Sequence, residues 1–126
     1  MENFEKAKAF GKYYNENSFW KTITYVAKKA GLKLIYISFL LYYTLNSNNI
    51  TKTDRAIIIA ALGYFIFPLD IIPDYIPFVG YTDDLSILLF AYRRIRANLN
   101  DDIRNKAQSK LSSFFGNYDS GEINEY

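Results

Sequence analysis

The chain has 126 residues, half of them hydrophobic, a formal net charge of +2, and neither cysteine nor histidine. This length suits one domain with its own core. The absence of cysteine excludes disulfides, thiolate metal sites and iron–sulfur clusters, and the absence of histidine excludes Ser-His-Asp triads and nearly all zinc sites. Any chemistry must therefore rest on carboxylates, lysine, tyrosine or a hard cation such as Mg²⁺ or Ca²⁺.

Hydrophobic spacing predicts helices along the N-terminal part of the chain. Residues 4–16 place apolar side chains every three or four positions, which is typical of a short amphipathic helix. We predict that Ser18 caps a second helix, which reaches Leu45, and that Gly31 either bends this helix or divides it in two. Residues 46–49 (Asn-Ser-Asn-Asn) are typical of a loop.

A third helix is expected after this loop. Thr51 or Thr53 can cap it, and the charge of Asp54 suits its positive end. Residues 56–67 are apolar almost throughout, a pattern found in helices that lie centrally in a bundle or contact lipid. We expect Pro68 to end this helix, because proline lacks the amide hydrogen that a helix interior needs.

Residues 68–84 (PLDIIPDYIPFVGYTDD), here called the connector, contain all three prolines of the chain. Since proline removes amide donors and disfavours helix in the residue before it, the sequence predicts a stiff, turned segment. The connector is also strongly apolar, so it is expected to pack on the helices. We predict that Thr82 caps a last helix, which continues to residue 115, and that residues 116–126 form a disordered tail.

The connector also holds the candidate metal ligands, Asp70, Asp74, Asp83 and Asp84. If the segment folds back on itself, these carboxylates meet around one hard cation, Mg²⁺ or Ca²⁺. Their spacing is not that of an EF-hand. The alternatives are that they cap helix ends and turns, that Asp70 or Asp74 forms an ion pair with Arg93 or Arg94, or that they act in acid–base catalysis.

The apolar runs are shorter than a bilayer-spanning helix, which needs roughly 20 residues. The run over residues 34–45 has 12 residues before Asn46, and that over 56–69 has 14 before Asp70. A soluble bundle is the plainer interpretation, and the alternative is a helical hairpin that dips into a membrane, with tyrosines and Trp20 at the interface. Its basic flanks are Lys28, Lys29 and Lys33 on one side and Arg93, Arg94 and Arg96 on the other.

Partners and location follow from the charges. The three arginines form either a solvated face or a contact for phosphate or anionic lipid, and no charged block is long enough to predict a nucleic-acid partner. The first ten residues contain two glutamates and no apolar core, which is unlike a secretory signal. We therefore expect a protein of the cytoplasm or of the inner face of the membrane, not a secreted one.

Residues 64–84 contain the pattern Y-x-x-x-P-x-D-x-I-P-D-x-x-P-x-x-G-x-x-D-D. The matching residues are Tyr64, Pro68, Asp70, Ile72, Pro73, Asp74, Pro77, Gly80, Asp83 and Asp84. This pattern resembles the signature of the YkvA-like family, a bacterial domain of unknown function, over residues 56–95. The resemblance implies a small helical domain, association with a membrane in many members, and a shared structural or ionic role for the four aspartates.

The sequence thus predicts an all-α fold, a small bundle of four to five helices with the proline-rich connector between the last two, in a single domain over residues 1–115. The expected function is that of a YkvA-like, non-enzymatic module for binding or scaffolding, at a membrane surface or on a protein partner. The alternative is a divalent-cation-binding domain or a metal-dependent enzyme that uses the clustered aspartates.

Overall fold

A computed structural model of the chain describes residues 8–26, 31–48, 50–71 and 78–116, together with four single residues near the C-terminus, Tyr118, Gly121, Ile123 and Tyr126. Within these ranges the side chains at 8–10, 25–26, 67–71 and 78–85 are left out of the description.

The described residues form five α-helices and two short 3-10 helices, with no strand among them. The α-helices are α1 (Glu16–Val26), α2 (Leu32–Leu45), α3 (Lys52–Ile71), α4 (Phe78–Ile95) and α5 (Asp101–Phe115), and the 3-10 helices are Lys8–Tyr13 and Arg96–Asn98. The prediction of a small all-α bundle is therefore confirmed. At the N-terminus the described residues form a 3-10 helix where an α-helix was expected.

Helix α2 lies at the centre of the bundle, since eleven of its fourteen residues are buried. It packs against α3, α4 and α5, while α3 also contacts α1 and the 3-10 helix Lys8–Tyr13. Gly31 precedes α2 with φ +88°, a conformation that other residues rarely adopt. Of the two outcomes expected for Gly31, the structure has the division of one long stretch into α1 and α2.

Two helix starts test the predicted caps. Thr51 does cap α3, because its Oγ1 accepts a hydrogen bond of 3.0 Å from the backbone N–H of Asp54. The predicted cap at Ser18 is wrong. Helix α1 begins two residues earlier, at Glu16, and the side chain of Asn15 accepts the N–H of Ser18 at 2.8 Å.

The predicted helix ends at the connector are also wrong. Helix α3 does not stop at Pro68 but continues to Ile71. A proline so near the C-terminal end removes only one backbone hydrogen bond, which the apolar packing of the preceding turns offsets. Helix α4 begins at Phe78, well before the predicted cap at Thr82. Pro77 restricts the residue before it and not the one after it, so a helix can begin directly behind it.

The last predicted helix is two helices. Helix α4 ends at Ile95, the 3-10 turn Arg96–Asn98 follows, and Asn100 caps α5 by accepting the N–H of Ile103 at 2.8 Å. Beyond α5, Ile123 is buried, and the ring of Tyr126 lies edge-on to that of Tyr92 at 5.4 Å. The domain boundary at residue 115 and the disordered tail stay predictions. Ile123 and Tyr126, which lie beyond that boundary, pack against the bundle.

Candidate functional site

Helices α3 and α4 form an antiparallel pair, here called the hairpin, whose near ends are linked by residues 72–77. At the opposite end, Arg94 Nε donates to Asp54 Oδ1 at 3.1 Å. The aspartate side chain is 13% exposed and the arginine 53% exposed, so the ion pair lies at the protein surface. It joins the first turn of α3 to the last turn of α4, and the connector therefore belongs to the other end of the hairpin.

The geometry of the hairpin overturns one interpretation of the arginines. Asp54 and Asp70 are sixteen positions apart on α3, which corresponds to about 24 Å along the helix axis. Because Arg94 is bound beside Asp54, it cannot also reach Asp70. Arg93 is its neighbour in the same turn of α4 and lies at the same end. The predicted pairing of Asp70 with these arginines is wrong, and Asp74 lies outside the described residues.

The backbone places three of the four candidate metal ligands. Asp70 lies in the last turn of α3, and Asp83 and Asp84 are the sixth and seventh residues of α4. Since α4 begins at Phe78, neither Asp83 nor Asp84 occupies the first turn, and the capping role predicted for them is wrong. Their side chains lie outside the description, as does all of Asp74. The side chains that are described contain no group of three or more acidic residues able to hold a metal ion, and the cation site on these four aspartates remains a prediction.

A cluster of aromatic rings joins α1, α2 and α5 on the other side of the bundle. We call it the aromatic cluster, and its members are Phe19, Trp20, Phe39, Tyr42 and Phe114. Phe19 and Tyr42 stack with ring centres 4.8 Å apart, and Trp20 lies edge-on to Tyr42 at 4.9 Å. The Nζ of Lys110 lies over the ring of Trp20, 4.8 Å from its centre. The ring of Phe39 in α2 contacts both Trp20 of α1 and Phe114 of α5, so the cluster joins the three helices at one place.

Burial changes the acidity of the tyrosines in and around this cluster. Desolvation is the main cause in each case, because it disfavours the charged phenolate. It raises the pKa of Tyr14 to about 12, with the nearby Tyr42 and Glu16 adding to the effect. The pKa of Tyr42 is raised by burial and by its hydrogen bond to Glu16, and burial raises the pKa of Tyr43. These phenols stay neutral at physiological pH, and they act there as rings and hydroxyl groups.

An open groove of about 420 Å³ lies beside the aromatic cluster, between α2 and α5. Its lining residues are Tyr43, Asn105, Lys106, Ser109, Lys110 and Ser113. Sequence reasoning did not single out these residues. The signal was present as two polar lines at four-residue spacing on α5, one through Lys106 and Lys110 and one through residues 105, 109 and 113. What the sequence could not show is that Tyr43 of α2 closes the groove.

The length and composition of the helices bear on whether the chain can cross a membrane. Among the helices within the described residues, none is long and apolar enough to cross a bilayer. This agrees with the short apolar runs in the sequence, whose length was below the roughly 20 residues that a crossing helix needs.

Comparison with known families finds a match over the hairpin. The family model described as "Protein of unknown function (DUF1232)" matches residues 54–90. Residues 54–90 are thus similar to this family, over less than a third of the chain. The match begins at Asp54, runs through α3 and the connector, and ends within α4. It therefore confirms the resemblance to a domain of unknown function that the proline and aspartate pattern suggested. No curated protein and no solved structure matches the chain.

The DUF1232 residues do not form a separate body. Buried side chains of α3 and α4, among them Leu62, Phe65 and Leu88, belong to one apolar core with those of α2 and α5. None of the residues that line the groove lies within residues 54–90. The groove and the matched residues are connected through the core that they share. The two regions are thus distinct surfaces on one scaffold.

Proposed function

We propose that the protein is a non-enzymatic binding module, which attaches to the inner face of a membrane through the connector at the end of the DUF1232 hairpin. The observation that carries this proposal is the Asp54–Arg94 pair, because it fixes which end of the hairpin is which. The described flanks of the hairpin contact α1, α2 and the 3-10 helix Lys8–Tyr13. Internal packing uses these flanks, so a partner of the hairpin would meet one of its two ends.

The composition of the connector favours lipid as that partner. Residues 68–84 carry no lysine or arginine, and their apolar residues alternate with prolines and four aspartates. A short apolar segment that cannot span a bilayer can still insert its side chains into the interfacial layer. The binding free energy then comes from apolar burial, at roughly 25 cal/mol per Å².

Membrane contact through the other end of the hairpin, where the arginines lie and which we call the basic end, would behave differently. Arg93 and Arg96 are exposed near Arg94, about 24 Å along α4 from Phe78. This separation is about three times the Debye length at physiological salt, so the two ends act independently. Contact through the arginines would weaken with added salt and would need anionic lipid. Contact through the connector would depend on neither.

Liposome co-sedimentation separates these cases. We expect the wild-type chain to sediment with neutral vesicles, in low and in high salt. The variant Ile72→Glu/Ile76→Glu should lose this binding, whereas the matched control Arg93→Gln/Arg96→Gln should keep it. A wild-type chain that stays in the supernatant refutes membrane attachment, and binding lost in the arginine variant assigns the contact to the basic end instead.

The aspartates support a second candidate function, the binding of a divalent cation. The observation in its favour is the placement of Asp70 at the end of α3 and of Asp83 and Asp84 near the start of α4, so that both helices bring acidic residues to the same end of the hairpin. Carboxylate oxygens are the ligands that Mg²⁺ and Ca²⁺ prefer. This candidate predicts that Mg²⁺ or Ca²⁺ stabilises the folded chain.

A further inference from the structure

We propose that the groove between α2 and α5 binds a small molecule that carries a phosphate group. This site lies on α5, outside residues 54–90, and the proposal does not depend on membrane attachment. The groove has a volume of about 420 Å³, within the range of roughly 300–1,000 Å³ that is usual for small-molecule sites. A phosphorylated sugar or a nucleoside monophosphate fits this size class.

The lining chemistry suits an anion. Two ammonium groups, those of Lys106 and Lys110, border the groove, and no carboxylate is among its lining residues. The amide of Asn105 and the hydroxyl of Ser109 add neutral polar groups on the same face of α5. Ser113 contributes an acceptor rather than a donor, because its hydroxyl donates to the carbonyl of Lys110 at 2.7 Å. Phosphate oxygens take hydrogen bonds from just such a mixture of ammonium, amide and hydroxyl groups.

Both lysines have a contact within the protein. Lys110 rests its ammonium on the face of Trp20, within the distance of a cation–π contact. Lys106 pairs with Asp102 at 3.1 Å, one helical turn away. This pair is exposed on both sides and is therefore weak, so that a phosphate can displace the carboxylate.

Tyr43 adds an aromatic wall to this cationic face. Its ring is oriented by edge-on contact with Tyr42, with ring centres 5.1 Å apart. Burial raises the pKa of Tyr43, so the phenol bears no negative charge that would repel a phosphate. The wall offers a surface on which a planar ring attached to the phosphate can stack.

The chain contains one tryptophan, and this gives the groove its own reporter. A ligand that draws the ammonium of Lys110 away from the indole of Trp20 changes the emission of that indole. We would titrate the full chain with AMP, with ribose 5-phosphate and with inorganic phosphate, and follow both the emission of Trp20 and the heat of binding. The expected result is a saturable change with the phosphate esters, which weakens as salt is added.

Two lysine variants make the test specific. Lys106→Gln should weaken binding about tenfold, the loss expected for one charge-assisted hydrogen bond. Lys21→Gln is the matched control, because Lys21 is exposed beside Trp20 but lines a different groove. It should leave binding unchanged, and urea unfolding should confirm that both variants fold. The proposal is overturned if no probe gives a saturable signal at millimolar concentration, or if the two variants weaken binding equally. A stronger affinity for AMP than for ribose 5-phosphate would support the stacking role of Tyr43.

Discussion

The hydroxyl of Tyr42 donates a hydrogen bond of 2.5 Å to Oε1 of Glu16, which joins the central helix α2 to the first turn of α1. Tyr42 is buried and Glu16 is exposed, so that the bond lies where the aromatic cluster meets solvent. Tyr42 thus contacts α1 twice, through this hydrogen bond and through the stacking of its ring on Phe19.

Removal of this hydroxyl should loosen α1. We expect Tyr42→Phe to lower the free energy of unfolding by about 1 kcal/mol, since the ring packing stays and one hydrogen bond is lost. Glu16→Gln keeps an acceptor and should cost less. Urea denaturation of the two variants measures the difference, and a Tyr42→Phe variant as stable as wild type would show that the bond contributes nothing.

Alkaline pH should destabilise the fold through Tyr14. Burial raises its pKa from the ordinary 10.0 to about 12, so between these values the folded chain holds a proton that the unfolded chain has lost. The contribution of this group to stability is thus fully present below pH 10 and is lost as the pH rises towards 12. Urea unfolding at a series of pH values should show this fall, and Tyr14→Phe should make it shallower. A slope identical in the two proteins would contradict the assignment.

The start of α3 allows a helix cap and an ion pair to be compared. We expect Thr51→Ala to cost about 1 kcal/mol, because it removes the acceptor for the N–H of Asp54. Arg94→Gln removes a surface ion pair, and such pairs contribute at most about 1 kcal/mol and often much less. The midpoint of thermal unfolding should therefore be lower for Thr51→Ala than for Arg94→Gln. Thr53 is exposed, so Thr53→Ala is a control whose midpoint should be close to that of wild type. The reverse order would mean that the ion pair holds the hairpin more firmly than its exposure suggests.

Two glycines should respond in opposite ways to alanine. Gly31 has φ +88° and ψ 153°, where a side chain costs about 1–3 kcal/mol of strain. A methyl group on Gly11 would meet the side chain of Ile59 at 3.5 Å, an ordinary contact. Gly11→Ala should thus be neutral or slightly stabilising, while Gly31→Ala lowers the melting temperature. Equal effects of the two changes would refute the conformational argument.

A divalent cation should stabilise the chain if the four aspartates bind one. We expect Mg²⁺ or Ca²⁺ to raise the midpoint of thermal unfolding relative to EDTA, because binding adds about 2.7 kcal/mol to the free energy of unfolding at a hundredfold excess over the dissociation constant. Asp74→Asn should abolish this increase. Asp101→Asn, which changes an exposed aspartate at the start of α5, is the matched control and should keep it. An unchanged midpoint in wild type would exclude the cation-binding candidate.

Much of the helical framework was predictable because it depends on local signals. The apolar run over residues 56–67 and the hydroxyl of Thr51 correctly indicated α3, and Gly31 marked a division that the structure has. The break between α4 and α5 also had a local signal, Asn98 and Asn100, but an uninterrupted apolar stripe concealed it. Asn100 competes with the helix by offering its side chain as a cap.

The sites were less predictable because they depend on which helix faces meet. The charge of Arg94 was visible in the sequence, and its partner was not, since the choice between Asp54 and Asp70 is a choice between two ends of an antiparallel pair. The lysines of α5 are visible in the sequence too, and the helix that packs beside them is not. Tyr43 of α2 lines a groove together with these lysines, and the indole of Trp20 lies under the ammonium of Lys110.

The burial of α2 determines which fragments of this chain can fold on their own. Helix α2 precedes the DUF1232 residues in the chain, yet its side chains fill the space between α3, α4 and α5. A fragment limited to residues 54–90 would expose Leu62, Phe65 and Leu88 to water, and it would tend to aggregate rather than fold. The smallest autonomous unit therefore exceeds the family match and includes α2, so fragments designed on sequence boundaries alone would divide a single core.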